Sequence, residues 1–380
     1  NETFWEDIYQ LPAGHLLELE NGDLTITEWY DFVGQIAKQP QINNYNESKE
    51  IYNSLLFDSV KLRFRADVSI GFNISGGLDS SALLALVNQS QVNTNNIEAF
   101  TFYTNDERYD ELPWVKQMIS HYNNPLNEVL LVAKEVPELS NFISDFQDEP
   151  FGGIPTLAYS KLFKTANNKG IKVLLDGQGM DEQLAGYDYY SSNSQATIQG
   201  VTESPFKPQM FNVTSSDEIV KHQYPKPFTN DIQNLQYRDL FYTKIPRALR
   251  FNDRVSMAYS TELREPFLDY RLVEFGFSLP IEFKIKGQQN KRILRDVISK
   301  YVPQSISYAP KRPLQTPQRE WLSEDLKEFV ELHINKIKSS NYASWFNMGE
   351  IDKEWNLYLK GNNQSSFHIW QLVNFSLLLS

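Results

Sequence analysis

Residues 68–89 have the sequence VSIGFNISGGLDSSALLALVNQ, and this stretch decides the fold. The apolar residues 68–74 predict a buried strand, and residues 78–89 predict a helix. Gly76 and Gly77 between them let the backbone turn without a Cβ clash, so that successive N–H groups converge on one point. The helix adds unpaired N–H groups and the positive end of its dipole. The order of strand, glycine turn and helix therefore predicts an anion-binding loop in an α/β domain.

Other side chains of this loop indicate the kind of anion. The hydroxyls of Ser75 and Ser80 can donate to phosphate oxygens, whereas Asp79 would repel them. Asp79 is explained if it holds Mg²⁺ that bridges the phosphates. A Walker A loop is excluded because no Gly-Lys-Ser or Gly-Lys-Thr follows. A tight turn with a serine-capped helix is the purely structural alternative.

Outward from this loop, strand and helix patterns alternate up to residue 190. Further strands are predicted at 97–104, 129–132 and 171–175, and further helices at 111–122, 154–169 and 181–190. Such alternation predicts a mostly parallel sheet with helices on both faces. Residues 191–235, rich in Ser, Thr, Asn and Pro, predict an insertion or lid. Residues 236–380 have helical periodicity and few strand signals, with helices expected at 326–338 and 367–379.

The N-terminal residues predict a separate small unit. Two short apolar stretches flank Asn21 and Gly22, and an Asn-Gly pair supplies the positive φ angles of a tight hairpin turn. Residues 34–48 are polar and rich in Gln and Asn, as expected of a linker. The predicted organisation is a hairpin unit over 1–33 and a domain over 34–380, the latter divided at about 47–190, 191–235 and 236–380.

Composition excludes several classes of function. The 380 residues include 36 basic and 48 acidic ones, a formal net charge of -12, which argues against a broad nucleic-acid surface. There is no cysteine, which excludes disulfides, thiolate zinc sites and a cysteine nucleophile in this chain. No apolar run reaches the ~18–20 residues of a membrane helix. We expect a cytoplasmic protein without nucleic-acid or membrane partners.

A second loop of glycines and acids follows the strand predicted at 171–175. Residues 176–182 have the sequence DGQGMDE. Ligands of open α/β sheets gather at the carboxyl ends of the strands. We therefore expect Asp79 and Asp181 to face one another and to share one Mg²⁺. An N-capped helix with acidic residues in its first turn is the alternative.

Two more segments are weak signals when each is taken alone. Residues 251–269 combine a polar turn around Arg254 with an apolar cluster, a pattern that a solvated helix face also produces. Lys311 lies among the prolines at 310, 313 and 317, which hold its loop stiffly and can present it to a ligand. An ordinary exposed loop lysine is the alternative.

Taken in order, these segments resemble the synthetase domain of the asparagine synthetase family. SGGLDSS at 75–81 matches the family's pyrophosphatase-type ATP loop, and GQGMDEQLAGY at 177–187 is similar to its GEGSDExFGGY. NDRVSMAYSTELREPFLDYRLVEF at 252–275 is close to NxxMSMxxSVExRVPFLDxxLVEF, and KRPLQTPQREWL at 311–322 resembles the family's lysine-bearing segment. The hairpin within 1–33 resembles the closing hairpin of the family's glutaminase domain. The resemblance implies the α/β fold of the adenine-nucleotide α-hydrolases (ATP pyrophosphatases) with a largely helical C-terminal half.

The resemblance also implies a two-step ligation that uses ATP and Mg²⁺. A substrate carboxylate, with aspartate favoured, attacks the α-phosphate, releases pyrophosphate and becomes an acyl-adenylate, from which ammonia displaces AMP to give the amide. By the same resemblance Lys311, Asp181 and Gln178 are the catalytic residues, and Asp79 and Asp181 bind the metal. The residues implied in nucleotide binding are Ser75, Gly76, Gly77, Leu78, Asp79, Ser80, Phe102, Asp176, Gly177 and Arg254.

Three departures from the family pattern bear on the substrates. The family releases ammonia with an N-terminal cysteine that this chain does not have, so free ammonia, a lost segment or a separate glutaminase domain or chain would supply it. Gln178 replaces a glutamate tied to adenylate formation and proton handling, and Gln cannot act as a base. Residues 148–154 lack the arginine with which the best-known members hold aspartate. The alternatives are a saccharide uronic acid, a peptide or a lactam-forming acid as substrate, or a silent nucleotide-binding member.

Overall fold

A parallel sheet lies at the centre of the structure. The computed structural model describes residues 3–90, 97–190, 207–212, 223–310 and 315–379. The strands in these ranges are β1 (His15–Glu20), β2 (Asp23–Glu28), β3 (Ile70–Asn73), β4 (Ala99–Tyr103), β5 (Leu126–Leu130), β6 (Val173–Leu175) and β7 (Glu262–Arg264). Strands β3 to β7 form one sheet in the order β5-β4-β3-β6-β7, in which every neighbouring pair is parallel.

Helices account for most of the remaining described residues. They are α1 (Phe32–Lys38), α2 (Tyr45–Arg63), α3 (Leu78–Ser90), α4 (Leu112–Tyr122), α5 (Val136–Gln147), α6 (Pro155–Asn168), α7 (Met180–Gln183), α8 (Asp231–Arg238), α9 (Ile245–Met257), α10 (Tyr270–Ser278), α11 (Ile281–Lys284), α12 (Arg292–Ile298), α13 (Gln304–Ser307), α14 (Gln318–Trp321), α15 (Lys327–Ser339), α16 (Met348–Leu359) and α17 (Ser366–Leu377). A π-helical segment, Asp239–Thr243, joins α8 to α9.

The buried centre of the sheet explains the apolar stretch that begins at residue 68. Phe72 of β3 is fully buried and pairs with Ala99 on one side and Leu175 on the other. Helix α3 follows directly, and its residues 82–87 are all fully buried, because α2, α4 and α12 cover it. A strand buried on both faces has a continuous apolar sequence rather than an alternating one.

The C-terminal half is helical: α9 packs against β7 of the sheet and against α5 and α6. Helices α15 and α17 lie against each other, and α17 also contacts α5. Trp370 of α17 is fully buried, with its ring edge-on to Phe151 at a centroid distance of 5.9 Å. This packing holds the segment between α5 and α6 in place.

The predicted hairpin is confirmed. Strands β1 and β2 are antiparallel, with Leu19 opposite Leu24, and both turn residues have positive φ, 54° at Asn21 and 95° at Gly22. Leu17, Leu19, Leu24 and Ile26 are exposed. The assignment of this hairpin to a glutaminase-type domain stays a prediction.

Three local expectations differ from the structure. Strand β7 lies in the half predicted to be helical, and it has only three residues, too few for a period-two pattern to show. The helix predicted at 181–190 ends at Gln183, since Ala185 has a positive φ of 51°. Helix α1 lies in the predicted polar linker, because Asp31 accepts the Gly34 N–H (2.9 Å) and Phe32 is buried edge-on to Phe277.

The fold class is confirmed: an α/β domain with a parallel sheet and a largely helical C-terminal half. The domain boundaries stay predictions, and most of the insertion predicted at 191–235 lies outside the described residues. Within the described ranges, none of the helices combines the length and the apolar character that crossing a membrane requires.

Candidate active site

The loops that the sequence singled out lie side by side at the carboxyl ends of β3, β6 and β7. Leu175 is opposite Phe72 of β3 and Arg264 of β7 in the parallel registers. Asp176 therefore leaves β6 between the loop that follows β3 and Glu265, the first residue after β7. This edge of the sheet is where ligands of such folds bind.

The loop from Ser75 to Ser80 closes on itself through short hydrogen bonds. Ser80 Oγ donates to the Ser75 carbonyl (2.7 Å) and accepts from the Ser75 N–H (3.1 Å). The Gly76 N–H donates to Glu111 Oε2 at 3.1 Å, so this amide already has a carboxylate as its acceptor. A Cβ at Gly76 would lie 2.9 Å from the Trp114 Cβ. The loop thus needs glycine for close packing, and the Gly76 N–H is oriented toward an anionic oxygen.

Asp79 and Asp181 meet at a lysine that sequence reasoning missed. Lys291 Nζ lies 2.6 Å from Asp79 Oδ2 and 2.7 Å from Asp181 Oδ1, and the lysine is only 5 % exposed. The backbone of Lys291 is left-handed, with φ of 55°, just before α12 begins. The expected convergence of the two aspartates is thus present, with an ammonium group joining them.

The charged groups of this cluster shift one another's pKa values. Burial by itself lowers the pKa of Lys291, but Asp181 and Asp79 outweigh burial, so the pKa is raised above its ordinary value. Burial, and then the charge of Asp181, raises the pKa of Glu182 to about 7, although Tyr187 donates to Glu182 Oε1 at 2.6 Å. At neutral pH Lys291 is therefore a fixed cation between two carboxylates.

Gly186 is packed against this ion pair, and its replacement tests how tightly the cluster is built. A Cβ there would lie 2.0 Å from Asp181 Oδ1 and 2.2 Å from Lys291 Cε. We expect Gly186→Ala to lower the free energy of unfolding by about 1–3 kcal/mol, the usual cost of overpacking, measured by chemical denaturation. Gly349→Ala is the matched control, since a Cβ there meets only Asn347 Oδ1 at 3.5 Å. Equal stability of the two variants would contradict the tight packing.

A cavity beside the loop is lined by some of the residues implied in nucleotide binding. Phe102 and Asp176 line it together with Ser75 and Ser80. Phe102 packs edge-on to Tyr159, with ring centroids 5.8 Å apart. The remaining lining residues are Asn73, Ile74, Phe100, Thr101, Tyr109, Asp110, Glu111, Tyr159, Leu162 and Gln315.

Gly177 and Leu78 connect this cavity to the two aspartates. A Cβ at Gly177 would lie 3.4 Å from the Ser80 N, so the two loops touch here. Leu78 is the first residue of α3 and Asp79 the second, which places the helix N-terminus beside Gly177. The nucleotide-binding residues predicted from the first two loops therefore lie together.

Three further residues were predicted to act at the site: Arg254, Gln178 and Lys311. The Arg254 guanidinium bonds to Asp148 Oδ2 at 2.7 Å and to the Gln147 carbonyl, so the structure joins it to the end of α5. The Gln178 N–H donates to Glu265 Oε2 at 3.2 Å, a partner that sequence reasoning did not identify. Lys311 lies outside the described residues. The roles of all three stay predictions.

The two aspartates also suit a divalent cation. Mg²⁺ prefers oxygen ligands and is usually held by one or two carboxylates together with substrate phosphates. Asp79 and Asp181 converge on a single ammonium group, so their oxygens are close enough to serve one ion. No group of three or more acidic or histidine residues within the described ranges forms a metal site. The two carboxylates therefore fit Mg²⁺ only if phosphate oxygens supply the remaining ligands.

Comparison with known proteins gives the family. The family model described as asparagine synthase matches residues 52–380. This chain belongs to the asparagine synthase family. The matched region includes the Ser75 loop, both aspartates, Lys291 and Lys311.

Individual members of the asparagine synthase family resemble the chain at modest identity. A putative glutamine-hydrolyzing asparagine synthetase of Methanocaldococcus jannaschii is 27 % identical over 309 residues, which cover 72 % of this chain and 50 % of that protein. Asparagine synthetase 1 of Bacillus subtilis is 23 % identical over 380 residues, with coverage of 87 % and 59 %. The chain thus spans between half and two thirds of the length of these curated relatives.

A solved structure also matches part of the chain. It is an NH₃-dependent NAD synthetase of Campylobacter jejuni, with 16 % identity and a TM-score of 0.26 over 38 % of this chain and 62 % of that one. The likeness is too weak to support an argument about the site of this asparagine synthase family member.

Proposed function

We propose that the protein is an ATP-dependent amide ligase that activates a carboxylate as its acyl-adenylate. The observation that carries the proposal is the meeting of the Ser75 loop, two aspartates and a buried lysine beside one cavity, in a chain of the asparagine synthase family. In the first step a carboxylate oxygen attacks the α-phosphorus of ATP and pyrophosphate leaves. In the second step ammonia attacks the acyl carbon, and the amide and AMP are released.

Negative charge grows on pyrophosphate as it leaves, and the chain's own groups can oppose that charge. Hydrogen bonds within the Ser75 loop and the two ion pairs of Lys291 hold these groups in fixed positions, from which the N–H groups, the hydroxyls and the ammonium would meet the phosphates. Preorganised donors and cations are usually the largest contribution to such catalysis. Asp79 and Asp181 would hold Mg²⁺, which would supply further charge stabilisation on the phosphates.

Aspartate is the favoured acceptor, and another carboxylate is the second candidate. The observation that favours the second is at residue 148, where Asp148 is paired with Arg254 and no arginine occurs up to residue 154. Gln178 adds to it, because an amide cannot serve as a base. A saccharide uronic acid, a peptide acid or a lactam precursor would then replace aspartate. Ammonia would come from solution or from a separate glutaminase domain or chain.

Product analysis tests the proposal. The protein is incubated with ATP, Mg²⁺ and ammonium, and with aspartate, glucuronate or no acid, and AMP, pyrophosphate and amide are quantified. We expect AMP and pyrophosphate to rise together and only with an accepted acid. Asparagine formation would select aspartate. ATP–pyrophosphate exchange is measured in parallel, since it reports the first step alone. No exchange with any carboxylate would overturn the ligase proposal in favour of a silent nucleotide-binding member.

Lys311 is expected to act on the reacting phosphate, as the resemblance implies. Lys311→Ala should lower the rate of AMP formation by roughly two orders of magnitude, the usual effect of losing one preorganised charge. Affinity for ATP should change little. Lys164→Ala, on the exposed side of α6, is the matched control. Unchanged turnover of the Lys311 variant would remove this residue from the mechanism.

A further inference from the structure

Amide formation releases a proton that some group must accept. When ammonia attacks an acyl-adenylate, the new C–N bond forms, the bond from carbon to the AMP oxygen breaks, and nitrogen sheds one proton. Gln178 cannot take that proton, because an uncharged amide has no basic site at neutral pH. The carboxyls nearest to residue 178 are the groups to examine.

Glu265 is one of these carboxyls, and its position is fixed. It follows β7 directly, and its Oε2 accepts the Gln178 N–H at 3.2 Å. Its other oxygen, Oε1, is buried without a hydrogen-bond partner among the described residues. The motif that this segment resembles has valine at this position, RVPFLD against REPFLD, so this chain has an additional carboxyl here, in contact with the backbone of residue 178.

Asp176 is the second carboxyl, and it reaches the cavity. It follows β6, is 5 % exposed, and lines the cavity beside Phe102 and Ser75. Its Oδ1 accepts the Gly177 N–H at 2.7 Å. Because β6 and β7 are paired in parallel, Asp176 and Glu265 leave neighbouring strands at the same level.

Burial acts on both carboxyls, and the charge of Asp176 acts on Glu265. Burial, followed by the charge of Asp176, raises the pKa of Glu265 well above its ordinary value. Burial raises the pKa of Asp176 to about 6, although the Gly177 N–H and the side chains of Asn73, Tyr159 and Gln178 act the other way. Two like charges at the ends of neighbouring strands in a buried site do not both ionise readily. The charge of Asp176 thus makes Glu265 hold its proton more firmly than an isolated carboxyl does.

Other titratable groups face the pair from the described elements packed around it. Tyr159 of α6 lines the cavity, and burial, then Asp176, Glu265 and Glu111, raises its pKa well above its ordinary value. Tyr159 therefore stays neutral. Glu111, just before α4, contributes a further negative charge at the Gly76 N–H. Arg264, next to Glu265 in sequence, bonds to Glu262 and to the carbonyls of Arg63 and Arg65.

We propose that Asp176 accepts the proton released on amide formation and that Glu265 is its positioning partner, in place of a carboxylate at residue 178. This inference rests on the proposed ligase function. Asp176 faces the cavity where the acyl-adenylate would lie, and Glu265 acts only through Asp176 by holding the pair to a single proton. Gln178 is then an amide for a physical reason, since a glutamate there would bring a third carboxylate beside the pair.

The test separates the two half-reactions. In Glu265→Gln the amide-forming rate should fall roughly 10- to 100-fold, less than the ~10²–10⁴ that loss of a general base itself costs, while ATP–pyrophosphate exchange persists. In the wild type the pH profile of amide formation should rise as Asp176 ionises at about 6 and change again at higher pH, as Glu265 loses its proton. The second change should be absent from Glu265→Gln.

Moving the carboxylate from residue 265 to residue 178 tests the role of the pair most directly. Gln178→Glu alone should lower amide formation, because it adds a third negative charge. Gln178→Glu combined with Glu265→Val should recover at least part of the rate, since the number of carboxyls is restored. The two changes should thus be strongly non-additive.

Different results would contradict the role of the carboxyl pair and the ligase function. Exchange and amide formation by Glu265→Gln with the wild-type rate and pH profile would overturn the role of the pair alone. A gain of amide formation by Gln178→Glu would also overturn it. Absence of exchange in the wild type with every acid would instead overturn the ligase function, and the role of the pair with it.

Discussion

Asp181→Asn is expected to abolish pyrophosphate release with every acceptor acid. Asp181 bonds to Lys291 at 2.7 Å and, with Asp79, forms the donor set that fits Mg²⁺. An amide is a poor ligand for Mg²⁺ and does not balance the ammonium charge. We expect a loss of at least about two to three orders of magnitude, as for removal of a preorganised charge, measured as pyrophosphate formed per minute at saturating ATP.

The control for this variant is the same substitution, Asp to Asn, made outside the site. Asp145 lies on the exposed side of α5, and Asp145→Asn should leave pyrophosphate release unchanged. Raising Mg²⁺ should not rescue Asp181→Asn fully, because the bond to Lys291 is lost as well. Normal pyrophosphate release by Asp181→Asn would remove both the shared metal and the ion pair from the mechanism.

Lys291→Met should have the second large effect, on stability as well as on activity. Removing one partner of a buried ion pair leaves an uncompensated charge and typically costs about 3–5 kcal/mol. Here two carboxylates would lose their common cation. Because the pKa of Lys291 is raised in the folded state, its contribution to stability is fully present at neutral pH and is lost only as the pH rises through that value. Denaturant unfolding at neutral pH measures the loss.

A further variant separates folding from chemistry. Lys291→Met combined with Asp79→Asn and Asp181→Asn should regain much of the stability, since no unpaired charge is buried, but none of the activity. Lys284→Met is the comparison, because Lys284 is fully buried and donates to the Phe277 carbonyl at 2.7 Å rather than to the aspartates. Pyrophosphate release should survive Lys284→Met. Unimpaired release by Lys291→Met would contradict the proposed role of this lysine.

Local sequence predicted the parts of the site that depend on local chemistry. The Ser75 loop lies between an apolar strand and an apolar helix, and both signals are strong over a short range. The meeting of Asp79 and Asp181 followed from the rule that the ends of parallel strands share one edge. These inferences required no knowledge of which helix packs where.

The missed residues depend on long-range packing. Lys291 follows a polar stretch, GQQN at 287–290, that predicts a solvated loop. It becomes buried because α12 packs against α2 and α3. Glu265 follows a strand of three residues that pairs with β6 and has no pattern of its own. A substitution within the third motif, glutamate for valine, was the one available signal for Glu265.

The bridge formed by Lys291 has a consequence for how the protein is made. Ribosomal synthesis delivers Asp79 and Asp181 long before residue 291 of 380. Until that lysine emerges, the two aspartates lack the cation that joins them in the folded chain. Formation of the bridge between Asp79, Lys291 and Asp181 is therefore a late event in biosynthesis, and a chain that stops before residue 291 is expected to lack it.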